Sequence, residues 1–175
     1  MKDNFGISRR AILSAIWVGG LAAGAADIVS AFGTQKGRVL LVLQYIGSGL
    51  IGSSAFNGGW ATAAVGLAVH FGLTTIMAGL FVLAARRRPE LLWSPWLSGL
   101  VYGALLFAAM NYVIVPHSAV AVWKHPSGFW GNINGAMGHG FFVAVPIACI
   151  ARHFLGVQLS TQWRAYAGSA AQASS

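Results

Sequence analysis

Charge is what this chain has least of. Only 8% of its 175 residues are charged, where a soluble domain carries about 25%. Too little polar surface remains to cover a soluble globule. The acidic residues are three, Asp3, Asp27 and Glu90, and only Asp27 falls inside an apolar run. That excludes paired-carboxylate acid–base chemistry and di-iron sites, which need several carboxylates at one place. The single cysteine, Cys149, excludes an internal disulfide. Its place in the last apolar run suits a small core- or lipid-facing side chain. The chain contains no Walker loop, HExxH, CxxCH or GxSxG pattern. No nucleophile–base pair is visible, so nothing marks an enzyme and no cofactor is implied.

Apolar residues make up 57% of the chain and gather into long runs. They lie at about 11–32, 39–56, 60–85, 96–115 and 133–155. All but the second are unbroken and near the ~20 residues that a helix needs to cross a bilayer. The second is interrupted by Gly47, Ser48, Gly49, Gly52, Ser53 and Ser54, and Asn57-Gly58-Gly59 then signals a turn. Residues 1–158 thus read as one helical membrane domain, and 159–175 as a polar tail expected to be disordered. The net charge of +8 comes from basic residues at the ends of the runs. That placement suits membrane orientation and anionic lipid headgroups, above all near Arg86, Arg87 and Arg88, and not nucleic acid.

Lysine and arginine placement decides whether 39–56 crosses. If it does not, eight basic residues lie on the side of the N-terminus and three on the other; if it does, the split becomes four against seven. The expected fold is therefore all-α, a polytopic membrane protein of four transmembrane helices. Both termini are cytoplasmic, and 39–56 is an outer re-entrant or interfacial helix. Its Gly/Ser content suits broken backbone buried against other helices. Tryptophans agree: Trp60, Trp123 and Trp130 fall at the outer interface, and Trp93, Trp96 and Trp163 at the inner one. Ser8-Arg9-Arg10-Ala11-Ile12-Leu13 is similar to a twin-arginine export signal, but the run after it is long and carries Asp27. The arginines read more simply as the cytoplasmic anchor of the first span.

Each of the four spans carries one strongly polar side chain: Asp27, His70, Asn111 and His139. Hydrocarbon cannot solvate them, and such residues usually face a bundle interior or a cavity. At ~1.5 Å of rise per residue, Asp27 lies ~8 Å, Asn111 ~6 Å, His139 ~9 Å and His70 ~15 Å from the outer ends of their spans. Gln44 falls ~8 Å down if its helix dips in from outside. Small residues share the face of each: Gly20, Ala23 and Gly24 with Asp27, Ala63 and Gly66 with His70, Ala104 and Ala108 with Asn111, and Gly135 and Ala136 with His139. The expectation is that all five polar groups converge on one outward-facing pocket. Asp27 would be its charge or proton site, His70 and His139 relays, and Asn111 and Gln44 orienting groups. The plain alternative for each is helix packing. Pro146, inside the last span, should kink it.

The layout resembles the YagU-like family of small bacterial inner-membrane proteins. The resemblance covers about residues 21–154. It rests on Ala25-Ala26-Asp27-Ile28-Val29-Ser30-Ala31-Phe32, on His70 in the next crossing helix, on Pro116 after the third span, and on Gly138-His139 in the last one. It implies a bacterial inner-membrane location and supplies neither a substrate nor catalytic residues.

Three functions compete at this point. One is handling of a proton or small cation in the pocket. A second is a non-catalytic structural or stress-associated protein whose polar residues only pack helices. A third is a haem or metal protein with His70 and His139 as ligands, although their depths differ by ~6 Å and haem needs both at one level. Four spans make a thin bundle and leave room for a homodimer built on the Gly20/Gly24 or Gly99/Gly103 pairs.

Overall fold

The computed structural model describes residues 7–120 and 128–156. The tail at 159–175, and Lys2, Trp123, Lys124, His125, Trp163 and Arg164, lie outside them. Among the described residues there is no β-strand. The helices are α1 (Arg9–Thr34), α2 (Val39–Ile51), α3 (Gly59–Arg87), α4 (Pro95–Ile114) and α5 (Gly128–Gly156). Short 3-10 segments, Gly52–Asn57 and Pro89–Leu92, lead into α3 and α4. Counting α2 with its 3-10 extension, all five are long and apolar enough to cross a membrane.

Local chemistry sets the ends. The Ala11 N–H donates to Ser8 Oγ at 3.2 Å, capping α1. Lys36 and Gly37, at φ 53° and 74°, reverse the chain after it. Pro95 in the first turn of α4 is an ordinary helix opener, because its missing N–H has no partner to lose there. Arg86 and Arg87 close α3, where cations offset the helix dipole.

Close seams between small residues set the packing. The buried face of α1 is Ala11, Ala15, Gly19, Gly20, Ala23, Gly24 and Ile28. Along it, Gly20 meets Thr75, and Gly24 meets Phe71 and Thr74 of α3. The numbers rise on one helix as they fall on the other, so α1 and α3 are antiparallel. A Cβ on Gly20 would stand 2.5 Å from the Thr75 Cα, closer than any side chain allows. The pair α4–α5 is also antiparallel: Gly99 lies on Val145, Gly103 on Gly140 and Gly135 on the Phe107 ring. Both GxxxG pairs are thus used inside one chain. α2 meets only the beginning of α3 in its closest contacts, with Leu43 against Gly66 and Gly47 against Thr62 and Gly66. Tyr102 ties α4 to α3, its hydroxyl donating to the Met77 carbonyl at 2.8 Å and its ring tilted against Phe81.

The apolar core gathers Ala15, Ala23, Phe81, Val82, Val143, Ile147 and Leu155. Apolar side chains also cover the outside. Trp60, Trp93 and Trp130 are 67%, 77% and 75% exposed, and Val29, Leu105 and Leu80 are exposed beside them. Such continuous apolar cover is what lipid contact requires and what a soluble fold avoids.

Two features depart from the sequence reading. The last helix begins at Gly128 and not at Ile133, because Phe129 and Trp130 continue the helix and Asn132 Nδ2 donates back to the Gly128 carbonyl at 2.8 Å. In addition, α4 and α5 each contain a widened π turn, at Met110–Ile114 and His139–Ala144. The second turn stands directly before Val145-Pro146. A proline ring crowds the carbonyl four residues back, here Phe142, and the wide turn relieves that crowding while the helix runs on to Gly156.

Gly103→Val is expected to push α5 off α4 and cost about 1–3 kcal/mol. Gly72→Ala, at a glycine with open space around it, should be close to neutral. Thermal unfolding of both variants in detergent, against wild type, checks the contrast.

Candidate functional site

A cavity of ≈ 690 Å³ opens between the last third of α1, α2, the middle of α3 and the end of α4. Asp27 and His70 both line it. Asn111, Gln44 and His139 do not, so the five polar residues converge only in part. Each of the three has found a nearer solution to its polarity.

Asn111 is buried and its Nδ2 donates to the Phe107 carbonyl one turn back, at 2.9 Å. His139 Nδ1 donates in the same way to the Gly135 carbonyl at 3.0 Å, and its ring stands edge-on to Phe107. A side chain that takes the carbonyl four residues back competes with the backbone N–H for it. Both π turns lie at these two residues. The Val115 N–H reaches the Met110 carbonyl at 2.9 Å, one residue further back than in an α-helix. The sequence signal for this was present in a polar residue flanked by glycine, Gly138-His139-Gly140. Gln44 is buried too, and its Nε2 donates to the Gly59 carbonyl at 3.3 Å and to Thr62 Oγ1 at 3.4 Å. It therefore fastens α2 to the first turn of α3.

His70 also bonds across helices, here from α3 to α1, and unlike Gln44 it lines the cavity. Its Nε2–H donates to the Gly24 carbonyl of α1 at 2.9 Å. The carbonyl fixes the neutral tautomer as Nε2–H and leaves Nδ1 with its lone pair. Phe71 stands edge-on to the ring. The contact is only possible because Gly24 lets α3 approach.

Asp27 lies three residues beyond Gly24, ~4.5 Å further along α1. It is half-buried. Among the described residues its carboxylate has no hydrogen bond and no ion pair, and no lysine or arginine lines the cavity. A carboxylate in an apolar setting needs a counter-charge, water or a proton. Apolar side chains dominate the wall around it, with Leu73, Val69 and Met110 opposite α1 and α2.

Metal or haem ligation by His70 with His139 finds no common site. The cavity that His70 lines excludes His139, and each ring already gives one nitrogen to a backbone carbonyl. Among the described residues, no three His, Cys, Asp or Glu side chains gather closely enough to hold a metal ion.

The class defined by fold and site is an all-helical protein with membrane-length apolar helices and one carboxylate-bearing cavity. No protein family, curated protein or solved structure matches the chain.

His70→Phe is expected to lose a side-chain bond between α1 and α3 and to cost about 0.5–2 kcal/mol. His139→Phe gives up only a bond within its own helix and should cost less. Unfolding of the two variants in mixed micelles ranks them; the reverse order would mean that the His70–Gly24 bond contributes little.

Proposed function

We propose that this chain is an integral protein of the bacterial inner membrane that handles a proton or small cation at Asp27, in a cavity open toward the outer side. The single observation that carries the reading is the state of Asp27. Of the five intramembrane polar residues it alone lacks a partner among the described residues, and it lines a cavity.

The topology of this proposal is four crossing helices, α1, α3, α4 and α5, with both termini cytoplasmic and α2 as an outer re-entrant element. Parity supports it. If α1 and α3 both cross and are antiparallel, the chain leaves α1 and enters α3 on the same side, so α2 returns without crossing. Basic residues at one end support the orientation. Arg86, Arg87 and Arg88 stand there with Arg152, whose Nη1 donates to the Trp93 carbonyl at 3.2 Å. They would meet anionic headgroups. The resemblance to YagU-like proteins supports the bacterial membrane and assigns no residue a role.

In the mechanism, Asp27 takes up the charge, and Nδ1 of His70, whose Nε2–H is held by the Gly24 carbonyl, is the ring atom on the same cavity wall left to accept a proton. Gln44, Asn111 and His139 take the second reading, helix packing, which their bonds to backbone carbonyls favour. The same reading leaves the protein without an enzymatic step.

Proteoliposomes holding a pH-sensitive dye test the proposal. With the membrane potential clamped, an external acid pulse should acidify wild-type vesicles faster than empty ones, and Asp27→Asn should bring the rate down to that of empty vesicles. Equal rates in wild type and Asp27→Asn would remove Asp27 from the pathway.

A further inference from the structure

The proposed function names a proton or small cation at Asp27, and the size and lining of the cavity reach beyond it to a larger cationic occupant. At ≈ 690 Å³ the cavity falls in the ~300–1,000 Å³ range of sites for organic molecules. It exceeds the ~30 Å³ share of one water by more than an order of magnitude. An inorganic cation needs a shell of about six oxygens. The wall offers one carboxylate, and its other oxygen-bearing side chains are Thr34, Gln35, Tyr45 and Ser118, of which Thr34 and Ser118 donate to backbone carbonyls. Most of the rest is hydrocarbon, with Val42, Ile46, Val69, Leu73, Met110 and Ile114 among the lining side chains. Water filling such a space would have few partners, and a hydrated ion would meet walls that cannot replace its shell.

The charge balance points the same way. Asp27 contributes a negative charge, and the wall contributes no lysine or arginine. A cationic occupant would supply the counter-charge that the wall lacks. The Tyr45 ring on the α2 side adds an aromatic face of the kind that attracts organic cations.

We infer that the cavity is a binding site for a monovalent organic cation with a bulky apolar body, its cationic centre held at Asp27 and its body against the α2, α3 and α4 walls. The inference rests on the reading that the Asp27 cavity accepts positive charge, and it names the substrate class of that same site. Such a molecule partitions into the bilayer by itself, so entry from the outer leaflet past α2 requires no aqueous pore.

Tetraphenylphosphonium and tetraphenylborate make a matched test, being nearly identical in shape and opposite in charge. Equilibrium dialysis of the full chain in lipid nanodiscs measures each, with empty nanodiscs as background. Tetraphenylphosphonium should bind saturably near one per chain, and tetraphenylborate should not exceed background. Asp27→Asn should weaken the cation's binding by roughly tenfold to a hundredfold, the loss of one close charge pair in a partly buried site. Leu73→Trp, which narrows the cavity and keeps the carboxylate, should weaken it, and far-ultraviolet circular dichroism confirms that both variants are folded. Equal binding by wild type and Asp27→Asn, or saturable binding of both probes, would overturn the inference. Absence of saturable cation binding would also overturn it. If Asp27-dependent acidification of vesicles survives that result, the substrate class alone is wrong; if acidification is also absent, the proposed function falls with it.

Discussion

Everything about the polar cavity depends on how closely α1 lies on α3. Gly20 and Gly24 present no side chain, so the two backbones approach until Thr75, Phe71 and Thr74 fill the space. Three consequences follow from that seam. The helices are held antiparallel, which fixes the parity of whatever lies between them. The Gly24 carbonyl comes within reach of His70, giving an intramembrane imidazole a donor role at 2.9 Å. Beyond the seam α1 and α3 leave room above Gly24, and α2 and the end of α4 close that room into the cavity where Asp27 stands. A bulkier residue at Gly24 would separate all three at once.

The polar groups within the membrane-length helices illustrate two ways of satisfying polarity without water. Asn111 and His139 turn inward on their own helices and take the carbonyl one turn back. The backbone answers with π turns, which are frequent at functional sites but here have local causes, the competing side chain at both and the Pro146 ring at the second. Gln44 and His70 instead reach a neighbouring helix. Asp27 can do neither, because an ionised carboxylate is an acceptor only and the helix carbonyls beside it offer no proton. Its isolation is therefore chemical as well as geometric, and it is the reason a positive partner is assigned to it.

Much of the helical architecture was legible in the chain. Runs of apolar residues bounded by Arg, Pro and Gly mark helices because the backbone inside hydrocarbon must satisfy itself. The faces of α1 and α3 were readable too, since Gly20, Ala23, Gly24, Ala63 and Gly66 recur at helical spacing. The convergence of five polar groups was over-read. Shared small-residue faces predict which helix surface packs, but a short polar side chain can satisfy itself within one turn, and periodicity does not see that option. The π turn at Asn111 and the early start of α5 at Gly128 were invisible for the same reason: they come from side chain–backbone bonds at Asn111 and Asn132. A pocket at Asp27 and His70 was expected, but its size and apolar wall were beyond sequence reasoning, because it is the space left by four elements meeting.

The account is tested most directly by which side of the membrane each end of α2 faces. Single cysteines at Gln35, Asn57 and Arg88, each in a Cys149→Ala background, can be labelled in intact cells and in inverted vesicles with a membrane-impermeant maleimide. Labelling of Gln35 and Asn57 from the same outer side, with Arg88 labelled only from the opposite side, is the predicted result. Labelling of Gln35 and Asn57 from opposite sides would mean that α2 crosses, and it would contradict the antiparallel pair on which the cavity and its carboxylate depend.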